Sequence, residues 1–284
     1  MRLGLYSACV PSLTPEQAIA SSMETGYAGI EWRVSNDVGD GRAPHFLHNN
    51  RCTVRDVDTE IDRICALTRA AGLEVLALAP YVETGDIAAV ERMVAAAQRN
   101  GVPAVRLRAP WMGPKGFHPL FASGREFFDR VADLAALHRV KALLEMHQRS
   151  ICPSASLAKQ LVGHLPPENV GVIYDVGNLV VEGYEDHELA LQILGPHLAH
   201  VHLKNAAYFP HPGGGPWKHA WTEIDNGIAD IPRVLDLLAA RGYEGWVSVE
   251  DFSNTRDDPA KLRYDAAYLH SHPQVTATAL PMAP

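Results

Sequence analysis

Strand-like and helix-like patterns alternate along this chain from end to end, and that alternation restricts its fold more than any other feature. Eight short runs rich in β-branched and aliphatic residues occupy positions 3–7, 29–34, 74–80, 104–108, 142–147, 171–175, 199–204 and 246–250. Amphipathic stretches of helical period separate them. In the first of these, Thr14 is an N-cap, Pro15 takes the first helical position, Gln17 completes a capping box and Gly26 follows the last turn. Gly72, Gly101 and Gly242 mark further helix ends just ahead of a strand. Eight strand-then-helix units in 284 residues predict an α/β fold, a single-domain (β/α)8 TIM barrel over 1–284 with a C-terminal tail at 273–284. An open doubly wound sheet is the alternative, but no dinucleotide or P-loop fingerprint follows an early strand.

Charge and cysteine usage narrow the class. A formal charge of −8 without a basic stripe argues against a nucleic-acid surface. No apolar run reaches the ~18–20 residues of a membrane span, and MRLGLYSACV reads as a first strand rather than a signal peptide. Cys9, Cys52, Cys65 and Cys152 form no CxxC pair and read as reduced thiols of a cytoplasmic protein.

The longer loops, 35–53, 109–123 and 205–226, follow strands 2, 4 and 7, on the face where barrels of this kind carry their sites. Four polar residues end later strands: Glu145 in VKALLEMH, Asp175 in VGVIYDVGN, His202 in LAHVHLKN and Glu250 in WVSVEDF. Any one alone could be a helix cap or a satisfied core histidine. Burying four such groups is costly unless they share a partner. Their recurrence points to convergence on one divalent metal, Mn2+ or Mg2+, with Zn2+, Co2+ and Fe2+ also compatible with the donor set.

Strand alternation extends the candidate site. His147 shares a face with Glu145, and His200 and Lys204 share one with His202. Lys204 reads as a clamp for a substrate oxygen or a developing enolate. Arg108 and Glu31 are pocket candidates, whereas Arg33 and Arg106 read as rim ion pairs. Trp111, Phe117 and His118, in the loop after strand 4, are placed to wall a pocket or to meet another subunit. The glycines at 213–215 read as a lid segment.

The chain resembles the xylose-isomerase-like barrels, the sugar phosphate isomerase/epimerase group. The resemblance runs from MRLGLYSACVPSLTPEQAIASSMETGYAGIEWR through HVHLKN to GYEGWVSVED. It implies that Glu145, Asp175, His202 and Glu250 bind a single metal, and that Glu145 and Glu250 also act as the acid/base pair on opposite faces of the substrate. The implied reaction is α-proton abstraction from a small keto-sugar or hydroxyketone through a metal-stabilised enediolate, ending in isomerisation or epimerisation. Expulsion of a β-substituent would instead make the chain a lyase, of the inosose-dehydratase or 3-keto-glycoside type.

One departure bears on that choice. The group carries Asp-x-x-His on strand 6, and here the run is Asp175-Val176-Gly177-Asn178. Asn178 can hydrogen-bond a substrate but moves no proton near neutral pH. His147 is the candidate for the missing imidazole. An endonuclease-type multinuclear site would need histidines at early strand ends, and ALAPY and RLRAPW supply none. A non-catalytic sugar-binding barrel would not need all four ligand types. The expected partner is a small carbohydrate, free rather than phosphorylated, with no nucleic acid and no membrane. The aromatic-rich loops and apolar tail are compatible with a homodimer or homotetramer.

Overall fold

The computed structural model describes residues 1–36 and 40–276. Eight parallel strands close into a barrel: β1 (Arg2–Tyr6), β2 (Gly29–Val34), β3 (Glu74–Pro80), β4 (Ala104–Arg108), β5 (Lys141–Glu145), β6 (Val170–Asp175), β7 (Leu198–Leu203) and, after an inserted hairpin, β10 (Trp246–Val249). β1 pairs with both β2 and β10, which completes the ring. The hairpin consists of β8 (Asn205–Phe209) and β9 (Lys218–Thr222). The helices are α1 (Pro15–Thr25), α2 (Glu60–Ala70), α3 (Ile87–Arg99), α4 (Phe117–His138), α5 (Ala155–Val162), α6 (Val176–Val181), α7 (His187–Leu194), α8 (Ile231–Ala240) and α9 (Asp258–His270). The (β/α)8 expectation holds.

Strands covered on both faces explain the continuous apolar runs of the sequence. The main core fills the space between strands and helices, with Trp32, Phe128, Ile61 and Leu144 fully enclosed. Inside the barrel, Ala77, Ala104, Leu143 and Ile173 form a separate small cluster, and Tyr6, Ala8 and Ala79 form another. Gly4 and Gly29 make room there. A Cβ at either position would lie 2.5 Å from a Leu76 methyl, so two missing side chains let one leucine fill the interior. The first helix starts as expected: Thr14 and Gln17 form the reciprocal capping box, and Gly26 sits at φ 85° in the left-handed region that ends the helix.

Three expectations about loops change. Segment 205–226 is largely the β8–β9 hairpin, with the 213–215 glycines at its tip. Phe117 and His118 belong to the first turn of α4. The tail call covers 273–284, of which 277–284 lie outside the described residues; within the rest, Thr276 bridges to Arg2 alongside β1. All four cysteines are buried and unpaired. Among the described residues no helix is long and apolar enough to cross a membrane.

Beneath the C-terminal end of β10, Asp251 meets Asp265 of α9. Neither Asp265 oxygen, nor Asp251 Oδ2, has a hydrogen-bond donor. Burial, then the Asp251 charge, raises the Asp265 carboxyl well above its usual range, which favours its protonated form. A carboxyl raised in the folded state contributes stability fully below its unfolded value and loses it as pH rises through the folded value. Asp265→Asn supplies a permanent N–H donor. The variant should be more stable than the parent by on the order of 1 kcal/mol near pH 8, with the difference shrinking towards pH 5. Urea unfolding at both pH values checks this, and a parent as stable as the variant at pH 8 overturns it.

Candidate metal centre

Glu145 and Asp175 are the last residues of β5 and β6, while His202 and Glu250 lie at the ends of β7 and β10. The register sets Asp175 beside His202 and Glu145 beside Arg108. One ligand atom from each of Glu145, Asp175, His202 and Glu250 falls within 4.8 Å of the others. All four side chains are buried. His202 Nδ1 lies 3.6 Å from Glu145 Oε1, 3.7 Å from Asp175 Oδ2 and 3.6 Å from Glu250 Oε2, with no hydrogen-bond partner of its own. Donors bound to one divalent ion at about 2.1 Å stand roughly 3.0–3.5 Å apart. The four groups could therefore close on a common ion with a small inward movement.

Each donor is oriented by a neighbour. His202 Nε2 donates to Glu31 Oε2 at 2.9 Å, which turns Nδ1 towards the carboxylates. Tyr6 stacks on the imidazole at 5.6 Å. Arg106 Nη1 donates to Glu145 Oε2 at 2.5 Å and rests over the Tyr6 and Tyr81 rings. Asp175 Oδ1 accepts the Asn178 backbone N–H at 2.9 Å, so it does cap α6, and Oδ2 accepts the Asn178 side-chain amide at 2.7 Å. Lys204 Nζ donates to Asp175 Oδ2 at 2.8 Å and to Glu250 Oε2. Gly177 allows that approach, since a Cβ there would lie 2.2 Å from Lys204 Cγ and 3.0 Å from its carbonyl oxygen.

The electrostatics divide the acids. Burial works against every one of these carboxylates, but the Arg106 charge holds Glu145 well below its usual range and Lys204 holds Asp175 down. His202, with hydrogen bonds from both histidines, keeps Glu31 below the ordinary carboxylate range. Glu250 goes the other way: burial, helped by the Asp175 charge and against the pull of Lys204, pushes it up to about 8. Lys204 is raised in turn, because Asp175 and Glu250 outweigh its burial.

The remaining expected residues fall into two groups. His147, Asn178, Lys204 and Arg108 line a cavity of about 410 Å3 together with Glu145 and Glu250. His147 Nδ1 donates to the Gln148 carbonyl at 2.7 Å, and burial lowers its pKa, leaving a neutral ring with Nε2 as acceptor. Asn178 also donates to the Met146 carbonyl at 3.1 Å, so its amide nitrogen is committed to the protein while Oδ1 has no partner. Glu31 is not a pocket residue: it is fully buried beneath His202 and also lies 3.3 Å from His200. Arg33 and Arg106 are not rim residues either; each is no more than 3% exposed. The sequence reading missed the roles of Tyr6, Tyr81 and Arg106. For Arg106 the signal was present, since it alternates with Arg108 on the face that pairs with β5.

A profile for the family described as "Xylose isomerase-like TIM barrel" matches residues 19–272. The inosose dehydratase of Geobacillus thermodenitrificans (strain NG80-2) is 29% identical over 148 residues, 46% of this chain and 46% of that protein. The match thus spans about half the length of that relative. Among solved structures, 3-keto-D-glucoside 4-epimerase from E. coli superposes with TM-score 0.68 at 18% identity, covering 95% of this chain and 99% of that one. The IOLI protein with a bound zinc atom superposes with TM-score 0.70 at 18% identity, covering 94% and 96%. At such identities the likeness speaks to the fold.

Removing Glu31 tests the orientation of His202. Glu31→Ala leaves the buried His202 Nε2 without its acceptor, while His200 keeps Ser248, and should destabilise the protein by about 3 kcal/mol or more. Chemical denaturation at neutral pH measures it; a loss below about 1 kcal/mol would show that the pair does not hold the imidazole.

Proposed function

Because the chain belongs to the xylose isomerase-like TIM barrel family, we propose that it is a divalent-metal-dependent enzyme that removes the proton beside the carbonyl of a polyhydroxylated ketone, either a keto-sugar or an oxo-cyclitol. The observation that carries the reading is the orphaned His202 Nδ1. With Nε2–H engaged by Glu31, Nδ1 faces three carboxylates at 3.6–3.7 Å; against its burial, the charges of Glu31 and Glu250 raise the imidazole well above its usual range, so the ring holds a proton there. A divalent ion can take the place of that proton, held by the same nitrogen and the three carboxylates. A divalent ion held by Glu145, Asp175, His202 and Glu250 would supply Lewis-acid polarisation of the substrate carbonyl.

The residues around it divide the remaining work. Glu250 Oε2 is engaged by Lys204, which leaves Oε1 to accept the α-proton. Lys204, buried beside it, offers positive charge to a developing enolate. His147 Nε2 and Asn178 Oδ1 accept from substrate hydroxyls. Phe252 and Trp221, with ring centroids 5.3 and 5.1 Å from Lys204 Nζ, keep water from the ammonium.

β-Elimination is the outcome this arrangement favours. Epimerisation through two bases needs a second proton acceptor on the opposite face, and the family resemblance assigns that task to Glu145. Here one Glu145 oxygen faces His202 and the other is held by Arg106, an arginine that keeps its proton. A single base at Glu250 can take the α-proton and return it to a departing β-hydroxyl, so that water leaves. The match to an inosose dehydratase supports this choice. Isomerisation shares the first step and differs in where the proton is returned.

Dialysis against a chelator should abolish turnover, and Mn2+, Mg2+ or Co2+ should restore it; full activity in metal-free protein overturns the metal reading. The second measurement is NMR in D2O on a panel of keto-sugars, inososes and 3-keto-glycosides. It should show exchange at the α-carbon and an elimination product, with Glu250→Gln lowering exchange by about 100-fold or more while the fold persists. Turnover without C–H cleavage removes the proposal, and epimer as the main product removes the preference for elimination.

A further inference from the structure

Arg106 and Arg108 share a face of β4 but not a fate. Arg106 is matched by the buried Glu145 at 2.5 Å. Arg108 is only 13% exposed, yet its one ion pair among the described residues is Glu83, 3.6 Å away and 77% exposed. Its Nε is buried without a hydrogen-bond partner. Burial and the like charge of Arg106 both act against its guanidinium. A largely enclosed cation so weakly compensated is costly unless a ligand completes it.

The guanidinium is also held ready for one. It lies 5.0 Å from the ring centroids of both Tyr81 and Trp111, so its orientation is fixed before anything binds. Arg108 and Trp111 line the cavity over the candidate metal centre and also a second cavity beside it, of about 540 Å3. Lys115 and Arg130 stand in the wall of that second cavity and have no ion pair among the described residues. Glu83 and Glu126 of the same wall are exposed, as are Lys115 and Arg130, so Arg108 is the one of these charges held largely out of water.

We propose that Arg108 and the cavity beyond Trp111 form an anion subsite, and that the substrate carries a carboxylate or phosphate on the part remote from the reacting carbonyl. The placement rests on the proposed function, since the reacting end is assigned to the metal centre. The subsite takes the anion through the paired N–H donors of the guanidinium, with Lys115 and Arg130 adding charge further out. A neutral free sugar of the kind expected from the sequence would leave Arg108 uncompensated.

Calorimetric titration of the full-length protein with glucose, glucuronate and glucose 6-phosphate tests this without turnover. At least one charged sugar should bind about 10-fold more tightly than glucose. The better of the two identifies carboxylate or phosphate as the anion. Arg108→Gln should bring the preference to within about 2-fold, and Arg108→Lys should keep part of it. If Arg108→Gln does not fold, the exposed double variant Lys115→Gln/Arg130→Gln should still weaken the preference. No binding of either charged sugar, equal affinity for all three, or a preference untouched by these substitutions overturns the subsite. Because binding is read rather than reaction, failure here leaves the metal chemistry standing, and a metal-independent enzyme would leave the charge preference standing.

Discussion

Four carboxylates, Glu31, Glu145, Asp175 and Glu250, are buried side by side at one end of the barrel, each no more than 3% exposed. Burying them together carries a large desolvation cost, and the surrounding structure is arranged around it. Arg106 answers Glu145, His202 answers Glu31, and Lys204 is divided between Asp175 and Glu250. The balance is one cation short, and the shortfall lies where His202 Nδ1 faces the three carboxylates. Glu250 absorbs it as a raised pKa. A divalent ion at that position would remove the imbalance, which is why the same geometry that strains the fold suits metal-assisted proton abstraction.

The sequence displayed the donors well and their support poorly, and strand depth explains both. Glu145 and Asp175 close their strands and stand at the mouth, so a polar residue ending an apolar run was a sufficient signal. Glu31 is the third residue of β2, paired with Tyr6, and so sits one layer lower, under His202 rather than beside a substrate. Alternation gives the face a side chain points to; it does not give its height in the barrel. Arg106 suffered the same ambiguity: an inward arginine reads as a rim residue until its partner on the neighbouring strand is known. The β8–β9 hairpin was hidden for another reason. β9 is exposed along most of its length, and Pro210, Pro212 and Pro216 with three glycines between the strands carry only loop signals.

The division of labour around the ring follows from these contacts. β5, β6, β7 and β10 contribute the donors that converge on one point. β1, β3 and β4 contribute Tyr6, Arg106 and Arg108, with Tyr81 just past the end of β3: aromatic faces and guanidinium groups, with no carboxylate reaching the cavity from those strands. The charges of the first half-ring are titratable and crowded. Those of the second are arginines that keep their protons, with aromatic rings that hold them in place. Titratable groups thus gather on one side of the barrel and fixed cations on the other. Arg106 is where the two sides meet: it holds one Glu145 oxygen, and in the proposed reaction that contact keeps Glu145 a fixed ligand and leaves proton transfer to Glu250.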